Sequence, residues 1–252
     1  MWMAVGLACV FNANCMKYYI GCSGFSYKEW KPEFYPEKLP QKQWFEFYTS
    51  QFNTLELNVT FYRFPKLSVL QGWYERSPDD FLFAVKAPRL ITHYKKFNDS
   101  ESLLHDFYGS IGDGLKSKLG PVLFQLPKEL IYTEERLEKL IQSMDKKFIN
   151  AIEFRDSSWW LNSVREVLIK NKIIFCGINH PTLPDNFIKG PDVYYRYHGV
   201  PKLYYSEYSL SVMKSMAEKL RSPAVKHAYI YFNNTANGSA IHNARQLQFL
   251  LQ

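Results

Sequence analysis

A carboxylate and a guanidinium lie two residues apart in the stretch NAIEFRDSSWW, which covers residues 150–160. The run before Glu153 and Arg155 is apolar and predicts a buried β-strand, in which alternate residues share a face. Ile152 and Phe154 then occupy the opposite face. Because an unpaired charge in a dry interior is costly, the two charged groups need partners or a hydrated cavity. The stretch therefore predicts a polar site at the end of this strand.

The same alternation places polar groups on other predicted strands. In TLELN, Glu56 and Asn58 share a face, and in YYRYHG, Arg196 and His198 share one. A further strand ends in Lys86. Other strands end in polar groups at Gln125, Asn179, Asn233 and Asn234. Because reactive groups gather at the C-terminal ends of the strands in barrel folds, we expect these side chains to converge on one mouth.

The converging side chains suggest acid–base chemistry on an anion. A carboxylate can serve as general base and a lysine or histidine as acid or oxyanion stabiliser, while an arginine fork binds phosphate or carboxylate. The candidate catalytic residues are Glu56, Glu153, Lys86 and His198. The candidate substrate-binding residues are Asn58, Arg155, Arg196, Asn233, Asn234, His93, Tyr27, Trp30, Tyr62 and Trp159. A Schiff base on the Lys86 amine is a further reaction open to this set.

Structural ion pairs offer a competing explanation of the same residues. Glu153 with Arg155, or Glu56 with Lys86, can pair to close one end of a barrel without a catalytic role. An inert plug, however, does not require polar groups on so many separate strands. The loop at Asn233 likewise suits either a phosphate site at a helix N-terminus or a turn followed by a helix cap.

Eight short apolar or aromatic runs must position these groups. The predicted strands are residues 18–23, 54–58, 81–86, 121–126, 151–155, 173–179, 193–198 and 228–233. The predicted helices are residues 41–52, 67–77, 100–111, 133–144, 161–171, 209–222 and 240–251. Strands that alternate with helices favour parallel pairing through right-handed crossovers. Eight such units predict a closed (β/α)8 barrel of the TIM type.

Two segments qualify this prediction. Residues 180–192 contain three prolines and no helical period, so we expect an irregular connection between the sixth and seventh strands. A doubly wound open sheet is the main alternative fold, but GCSGFSY after the first strand is not the glycine-rich turn that usually marks it. We expect residues 1–15 to lie outside the fold and residues 16–252 to form a single barrel domain.

Composition bounds the partners and the compartment. The 31 Lys and Arg residues exceed the 24 Asp and Glu residues, and the net charge of +7 favours anionic partners. Four cysteines without Cys-x-x-Cys spacing predict free thiols in a reducing cytoplasm. No run reaches the length of a membrane span, so no membrane association is expected. The chain lacks metal-binding motifs, and the basic site residues would repel a cation, so neither metal nor cofactor is expected.

Seven stretches of the chain, in order from Lys17 onward, resemble the YecE-like family, catalogued as domain of unknown function 72. They are GCSGFSYKEWKPEFYP (21–36), LELNVTFYRFP (55–65), FAVKAPRLITH (83–93), LFQLP (123–127), EFRDSSW (153–159), YYRYHG (194–199) and YFNNTANGSAIHNA (231–244). The resemblance implies a TIM-barrel-type fold and no established activity. The chain departs from the family at Phe25, where tryptophan is usual, and near Thr235 and Ile241, where an acidic residue and a proline are expected.

Three classes of function remain open. An enzyme that uses carboxylate acid–base chemistry on a small phosphorylated or carboxylate substrate is the preferred hypothesis. A barrel that binds or processes nucleic acid is the second, because basic charge and aromatic side chains can neutralise phosphates and stack on bases. A non-catalytic ligand-binding barrel is the third. The sequence does not determine the oligomeric state.

Overall fold

The computed structural model describes residues 16–252, so the expectation for residues 1–15 lies outside the described residues. The strands are β1 (Lys17–Cys22), β2 (Thr54–Leu57), β3 (Leu82–Lys86), β4 (Leu119–Gln125), β5 (Asn150–Glu153), β6 (Ile173–Phe175), β7 (Gly177–His180), β8 (Leu183–Asn186), β9 (Asp192–Tyr197) and β10 (His227–Phe232). The α-helices are α1 (Trp44–Thr49), α2 (Val59–Tyr62), α3 (Leu67–Arg76), α4 (Glu101–Leu115), α5 (Glu134–Ser143), α6 (Asn162–Lys170), α7 (Leu210–Leu220) and α8 (Ser239–Leu251). A π-helical turn covers Leu90–Lys95.

The strands form two five-stranded sheets. One sheet has the order β1-β10-β9-β7-β8 and the other the order β2-β3-β4-β5-β6. All neighbouring strands are parallel except β7 and β8. The fold is therefore a mixed α/β single domain with parallel sheets. The hydrogen-bonded strands form two separate sheets and not the continuous eight-stranded ring predicted from the sequence.

The two sheets adjoin at both edges. On one side, Gly24 N donates to the Glu56 backbone oxygen at 2.9 Å, and Ser23 and Glu56 form an isolated parallel bridge. On the other side, β6 and β7 are consecutive segments separated by Cys176, whose N–H donates to Ile152 of β5 at 2.8 Å. One predicted strand, residues 173–179, is thus divided between the sheets.

The segment predicted to be irregular, residues 180–192, contains a strand. β8 pairs antiparallel with β7 and forms a short hairpin at the edge of its sheet. A proline that lacks an N–H donor is tolerated in an edge strand, which explains how Pro184 fits there. The absence of a helical period was compatible with an edge strand as well as with a loop.

Helix α5 begins where the sequence predicts. The Thr133 side chain accepts a hydrogen bond from Arg136 N at 3.2 Å, which satisfies one of the free amides of the first turn. Glu134 and Glu135 follow in the first turn, where negative charge favours the helix dipole. Across residues 16–252, no helix combines the length and apolarity that crossing a membrane requires.

Side-chain alternation separates two cores. The larger one lies between sheets and helices, and a smaller one consists of Ala84, Leu123, Ala151, Ile174, Cys176, Tyr194, Tyr229 and Tyr231. The smaller core lies on the other face of the strands. Of the four cysteines, Cys22 and Cys176 are described, and both are buried free thiols.

Candidate functional site

The candidate side chains continue the smaller core toward the C-terminal ends of the strands. Lys86 lies two residues beyond Ala84, Glu153 two beyond Ala151, and Arg196 two beyond the core residue Tyr194. Because side chains two apart on a strand share a face, each polar group extends an apolar column. Local strand geometry therefore brings these groups to one end of the sheets.

Arg196 connects the two sheets from its position on β9. Its Nη1 donates to Glu153 Oε2 at 2.7 Å, and its Nη2 donates to Glu56 Oε1 at 2.6 Å. The Arg196 side chain is 1% exposed, and both glutamate side chains are fully buried. A buried charge is tolerable only when it is paired and hydrogen-bonded, and this arrangement pairs all three. We call Arg196, Glu56 and Glu153 the inner layer.

The oxygens of Glu56 accept further hydrogen bonds. Ser23 Oγ donates to Oε1 and the Tyr194 hydroxyl donates to Oε2, both at 2.6 Å. Together with Arg196, these donors occupy both carboxylate oxygens. Glu56, predicted as a catalytic base, is therefore fully buried and accepts three hydrogen bonds from the protein itself.

Glu153 is held in its ionised form. Burial alone would raise the pKa of its carboxyl, but the nearby Arg155, Arg196 and His198 hold that pKa well below its usual value. Arg155 Nε donates to Glu153 Oε1, as expected for two residues on one face. A carboxylate with so low a pKa is a weak base, so the geometry favours a positioning role for Glu153 over general base catalysis.

His198 is buried and uncharged at neutral pH. Burial, followed by the Arg155 charge, lowers the pKa of its imidazole well below the usual value. Its Nδ1 lies 3.0 Å from Asn233 Nδ2, and its Nε2 lies 3.4 Å from Glu153 Oε2. Nε2 also lies 3.4 Å from Arg155 Nη2. A tautomer protonated at Nε2 suits the contacts with Asn233 and Glu153, whereas the contact with Arg155, which can only donate, requires Nε2 to accept.

Lys86 differs from the arginines because it has no carboxylate partner. Its Nζ donates to Gln125 Oε1 at 2.7 Å and lies 4.0 Å from the centre of the Phe61 ring. Burial, reinforced by Arg196, lowers the pKa of the Lys86 ammonium to about 7, and Glu153 only partly opposes this effect. The Glu56–Lys86 ion pair of the competing explanation is absent among the described residues, and Arg196 pairs with Glu56 instead.

His93 orients the acceptor of Lys86. His93 Nε2 lies 3.4 Å from Gln125 Nε2, and its Nδ1 lies 2.8 Å from the Thr92 hydroxyl. Burial and the Lys86 charge lower the pKa of His93 to about 4, so the ring is neutral at pH 7. A neutral ring that accepts from the Gln125 amide leaves the Gln125 oxygen facing Lys86.

Three predicted binding residues lie outside this cluster. Trp159 stacks on Phe154 at 4.5 Å on the helix-facing side of β5, and its indole donates to the Leu130 oxygen. The Trp30 indole donates to the Thr235 oxygen and is fully buried. Asn234 is also fully buried and donates to Ser206 and Asn243. These contacts support loops and helix packing, and a role of these three side chains in substrate binding stays a prediction.

The remaining predicted binding residues lie nearer the rim. Tyr27 donates through its hydroxyl to the Ser23 oxygen at 2.7 Å. Tyr62 is 65% exposed, at the end of α2. Asn58 precedes α2, and its Oδ1 is buried without a hydrogen-bond partner among the described residues.

Some site residues were not predicted, although signals for them exist. Tyr194 lies two residues before Arg196 and Ser23 follows β1, so alternation along the strands could have identified both. His180 forms an edge contact with His198, with 5.4 Å between ring centres. Burial and Arg155 lower the pKa of His180 to about 4. In the described part of the chain, no group of three or more His, Cys, Asp or Glu side chains is arranged to hold a metal ion.

Comparisons with known proteins match nearly the whole chain. A profile of the family described as protein of unknown function DUF72 matches residues 19–252. The chain is 26% identical over 275 residues to UPF0759 protein YunF of Bacillus subtilis (strain 168), which covers 92% of this chain and 94% of that protein. It is 27% identical over 139 residues to UPF0759 protein YecE of Escherichia coli (strain K12), and this match covers 55% of this chain and 51% of YecE. The crystal structure of a DUF72 family protein from Thermotoga maritima is similar with a TM-score of 0.82 and 30% identity, covering 93% of this chain and 99% of that one.

Proposed function

The chain belongs to the DUF72 family, and on that premise we propose that it is an enzyme that performs acid–base chemistry on a small anionic substrate. The substrate, a phosphorylated or carboxylated molecule, binds beside Lys86 at the C-terminal ends of the strands. Of the four catalytic candidates, Glu56, Glu153, Lys86 and His198, Lys86 is the group that transfers the proton in this proposal.

The charge balance of the cluster carries this proposal. The two inner-layer carboxylates, Glu56 and Glu153, are matched by the guanidinium groups of Arg155 and Arg196. Lys86 is then the surplus cation, with a neutral amide as its hydrogen-bond acceptor. An anionic substrate supplies the missing negative charge, and its binding is favoured in a site with little access to water.

Lys86 has the properties of an acid–base group at neutral pH. With a pKa of about 7, its amine and ammonium forms are both populated, which suits proton transfer in either direction. Arg155 is 14% exposed in its side chain, so it is the guanidinium that can contact a bound anion at the rim. Arg196, Glu56 and Glu153 hold these groups in place beneath.

We also propose that the two sheets together enclose one barrel of the (β/α)8 type. The hydrogen bond from Gly24 to Glu56 supports contact along one edge, and the division of a single segment between β6 and β7 supports contact along the other. A Cβ added at Gly21 would lie 2.3 Å from the Thr54 oxygen, so β1 and β2 approach closely there. Arg196 bridges the space between the sheets.

The test is a binding and turnover screen with phosphorylated and carboxylated metabolites. We expect a ligand whose affinity falls at least about tenfold in Lys86→Gln, because the surplus charge is lost. Lys214→Gln, at an exposed position of α7, is the control and leaves affinity unchanged. Lys86→Arg retains the charge and should keep binding while turnover is lost. Binding without turnover in the unmodified protein would instead support a non-catalytic ligand site, and binding independent of Lys86 would refute the proposal.

One surface favours the alternative of nucleic-acid binding. The Arg89 guanidinium carbon lies 5.5 Å from the Tyr62 ring centre and 5.4 Å from that of Tyr94, and both tyrosines are 65% exposed. Exposed aromatic and arginine side chains can stack on unpaired bases. Salt-dependent retardation of a single-stranded oligonucleotide that is lost in Tyr62→Ala with Tyr94→Ala would favour this alternative. Absence of retardation at low salt would exclude it.

A further inference from the structure

Two buried lysines of this chain have contrasting surroundings. Lys118 Nζ donates to the Tyr74 oxygen at 2.7 Å, to the Ser77 oxygen at 2.7 Å and to the Ser77 hydroxyl at 3.2 Å, so acceptors are present for all three of its hydrogens. Lys86 Nζ has a single hydrogen-bond acceptor among residues 16–252, the amide oxygen of Gln125. The Lys118 amine is therefore fully hydrogen-bonded, whereas the Lys86 amine is not.

The surroundings of Lys86 suit a nucleophilic amine. A lysine becomes nucleophilic when burial and neighbouring cations favour its neutral form. Lys86 is 8% exposed, and the charges that act on it are those of Arg196 and Arg155, opposed by Glu153 and Glu56. The acceptor Gln125 is neutral and can remain hydrogen-bonded while the amine loses a proton.

We infer that Lys86 forms a covalent iminium with the carbonyl group of a small 2-oxo acid. This inference rests on the proposed function, because it gives the anionic substrate a chemical class. The carboxylate of such a substrate matches the surplus positive charge of the cluster, and the carbonyl group next to it is the electrophile for the Lys86 amine.

The iminium forms through a carbinolamine. The neutral amine of Lys86 forms a bond to the carbonyl carbon, and a proton moves from nitrogen to oxygen to give a carbinolamine. Uptake of one proton then expels the oxygen as water and leaves a C=N⁺ bond. The iminium is again cationic, and the face of Phe61, 4.0 Å from Nζ in the free protein, can stabilise it.

Reductive trapping of the full chain tests this inference. The protein is incubated with pyruvate and sodium cyanoborohydride at pH 7, digested, and analysed by mass spectrometry for the reduced adduct on each lysine. At pH 7 about half of an amine with a pKa of 7 is neutral, against roughly 1 in 2,500 for an ordinary lysine. We therefore expect adduct formation on Lys86 to exceed that on exposed lysines at least about tenfold, allowing for slower access. Lys118, buried in the same protein, is the internal control and should remain unmodified.

A second variant avoids removing the lysine itself. Gln125→Glu replaces the neutral hydrogen-bond acceptor of Lys86 Nζ by a carboxylate, which should favour the ammonium form. Trapping on Lys86 should therefore fall at least about tenfold. The rate of trapping on Lys86 in Gln125→Glu should recover as the pH is raised, because the amine is then deprotonated. Trapping that is equal on Lys86 and surface lysines, or that is unchanged in Gln125→Glu, would overturn the inference.

Phosphate, which has no carbonyl group, separates this inference from the proposed function. If phosphate stabilises the protein in a thermal-shift assay in a Lys86-dependent way but pyruvate leaves no adduct on Lys86, the iminium is refuted and the anion site stands. If neither phosphate nor pyruvate binds, both fail. An adduct on Lys86 together with phosphate protection against trapping supports both.

Discussion

Lys86 Nζ donates to Gln125 Oε1 at 2.7 Å, a neutral acceptor, although two buried carboxylates belong to the same cluster. Those carboxylates are engaged by Arg155 and Arg196, which leaves the lysine without an ion-pair partner among the described residues. Burial of an unpaired ammonium opposes folding, and such a group persists where function requires it.

Replacement of Lys86 by methionine should stabilise the protein at neutral pH. The folded-state pKa of about 7 lies below the ordinary value of 10.5, so the unfolded chain binds more protons between these values. The destabilising effect of Lys86 is therefore full below pH 7 and vanishes above about pH 10.5. We expect Lys86→Met to raise the free energy of unfolding by about 3–4 kcal/mol more at pH 7 than at pH 10, measured by urea denaturation. Lys118→Met, which removes three hydrogen bonds, should destabilise at both pH values, and a similar loss in Lys86→Met would contradict the account.

The inner layer should be sensitive to loss of one carboxylate. Glu153→Gln leaves Arg196 and Arg155 without a shared counter-charge in a buried position, and we expect the free energy of unfolding to fall by about 3–5 kcal/mol. The matched control is Glu46→Gln, which breaks the surface pair between Glu46 and Arg76 at 2.6 Å, where both side chains are nearly half exposed. That change should cost no more than about 1 kcal/mol. Equal effects of the two substitutions would show that the inner layer is not electrostatically coupled.

Stability should decline as the pH falls from 6.5 toward 4. The pKa values of His93 and His180 are lowered from 6.5 to about 4 in the folded protein. Between these pH values the unfolded chain therefore binds more protons than the folded chain, which favours unfolding. The lowered pKa of His198 acts in the same direction. Urea denaturation at several pH values gives the free energy of unfolding as a function of pH, and the slope of this dependence should be shallower in His180→Gln than in the unmodified protein. An unchanged slope in this variant would argue against a neutral, partly buried His180.

Trp159 should affect stability and not ligand binding. Trp159→Phe keeps the stacking on Phe154 but loses the hydrogen bond to the Leu130 oxygen, leaving a buried acceptor without that donor. We expect the free energy of unfolding to fall by about 1–3 kcal/mol, with the affinity for an anion found in the screen unchanged. A binding defect in folded Trp159→Phe would contradict this prediction and support a role of Trp159 in ligand binding.

Alternation along strands was sufficient to group the main site residues from the sequence. Glu56, Lys86, Glu153 and Arg196 share the inner face because their parity on each strand determines it. The partners within the cluster could not be predicted, since they depend on distances between strands far apart in sequence. Arg196 rather than Lys86 therefore pairs with Glu56, a result that neither strand specifies alone.

Fold prediction shows the same division between local and non-local information. Hydrophobic periodicity located β1 to β7, β9, β10 and the longer helices, because it reflects which side of an element is buried. It did not reveal the break at Cys176 or the pairing of β8, which depend on how neighbouring strands meet. The stacking of Trp159 on Phe154 could not be predicted either, because the position of Trp159 in a loop after β5 does not show that it turns back onto the strand.

The most direct test of the account is the titration of Lys86 itself. Two-dimensional NMR of protein with ¹³Cε-labelled lysine, with the Lys86 signal identified by its loss in Lys86→Arg, would follow its protonation with pH. We predict a midpoint near pH 7 that rises when an anion occupies the site, because the anion stabilises the ammonium. A midpoint above pH 9 that does not respond to any anion in the screen would contradict the account.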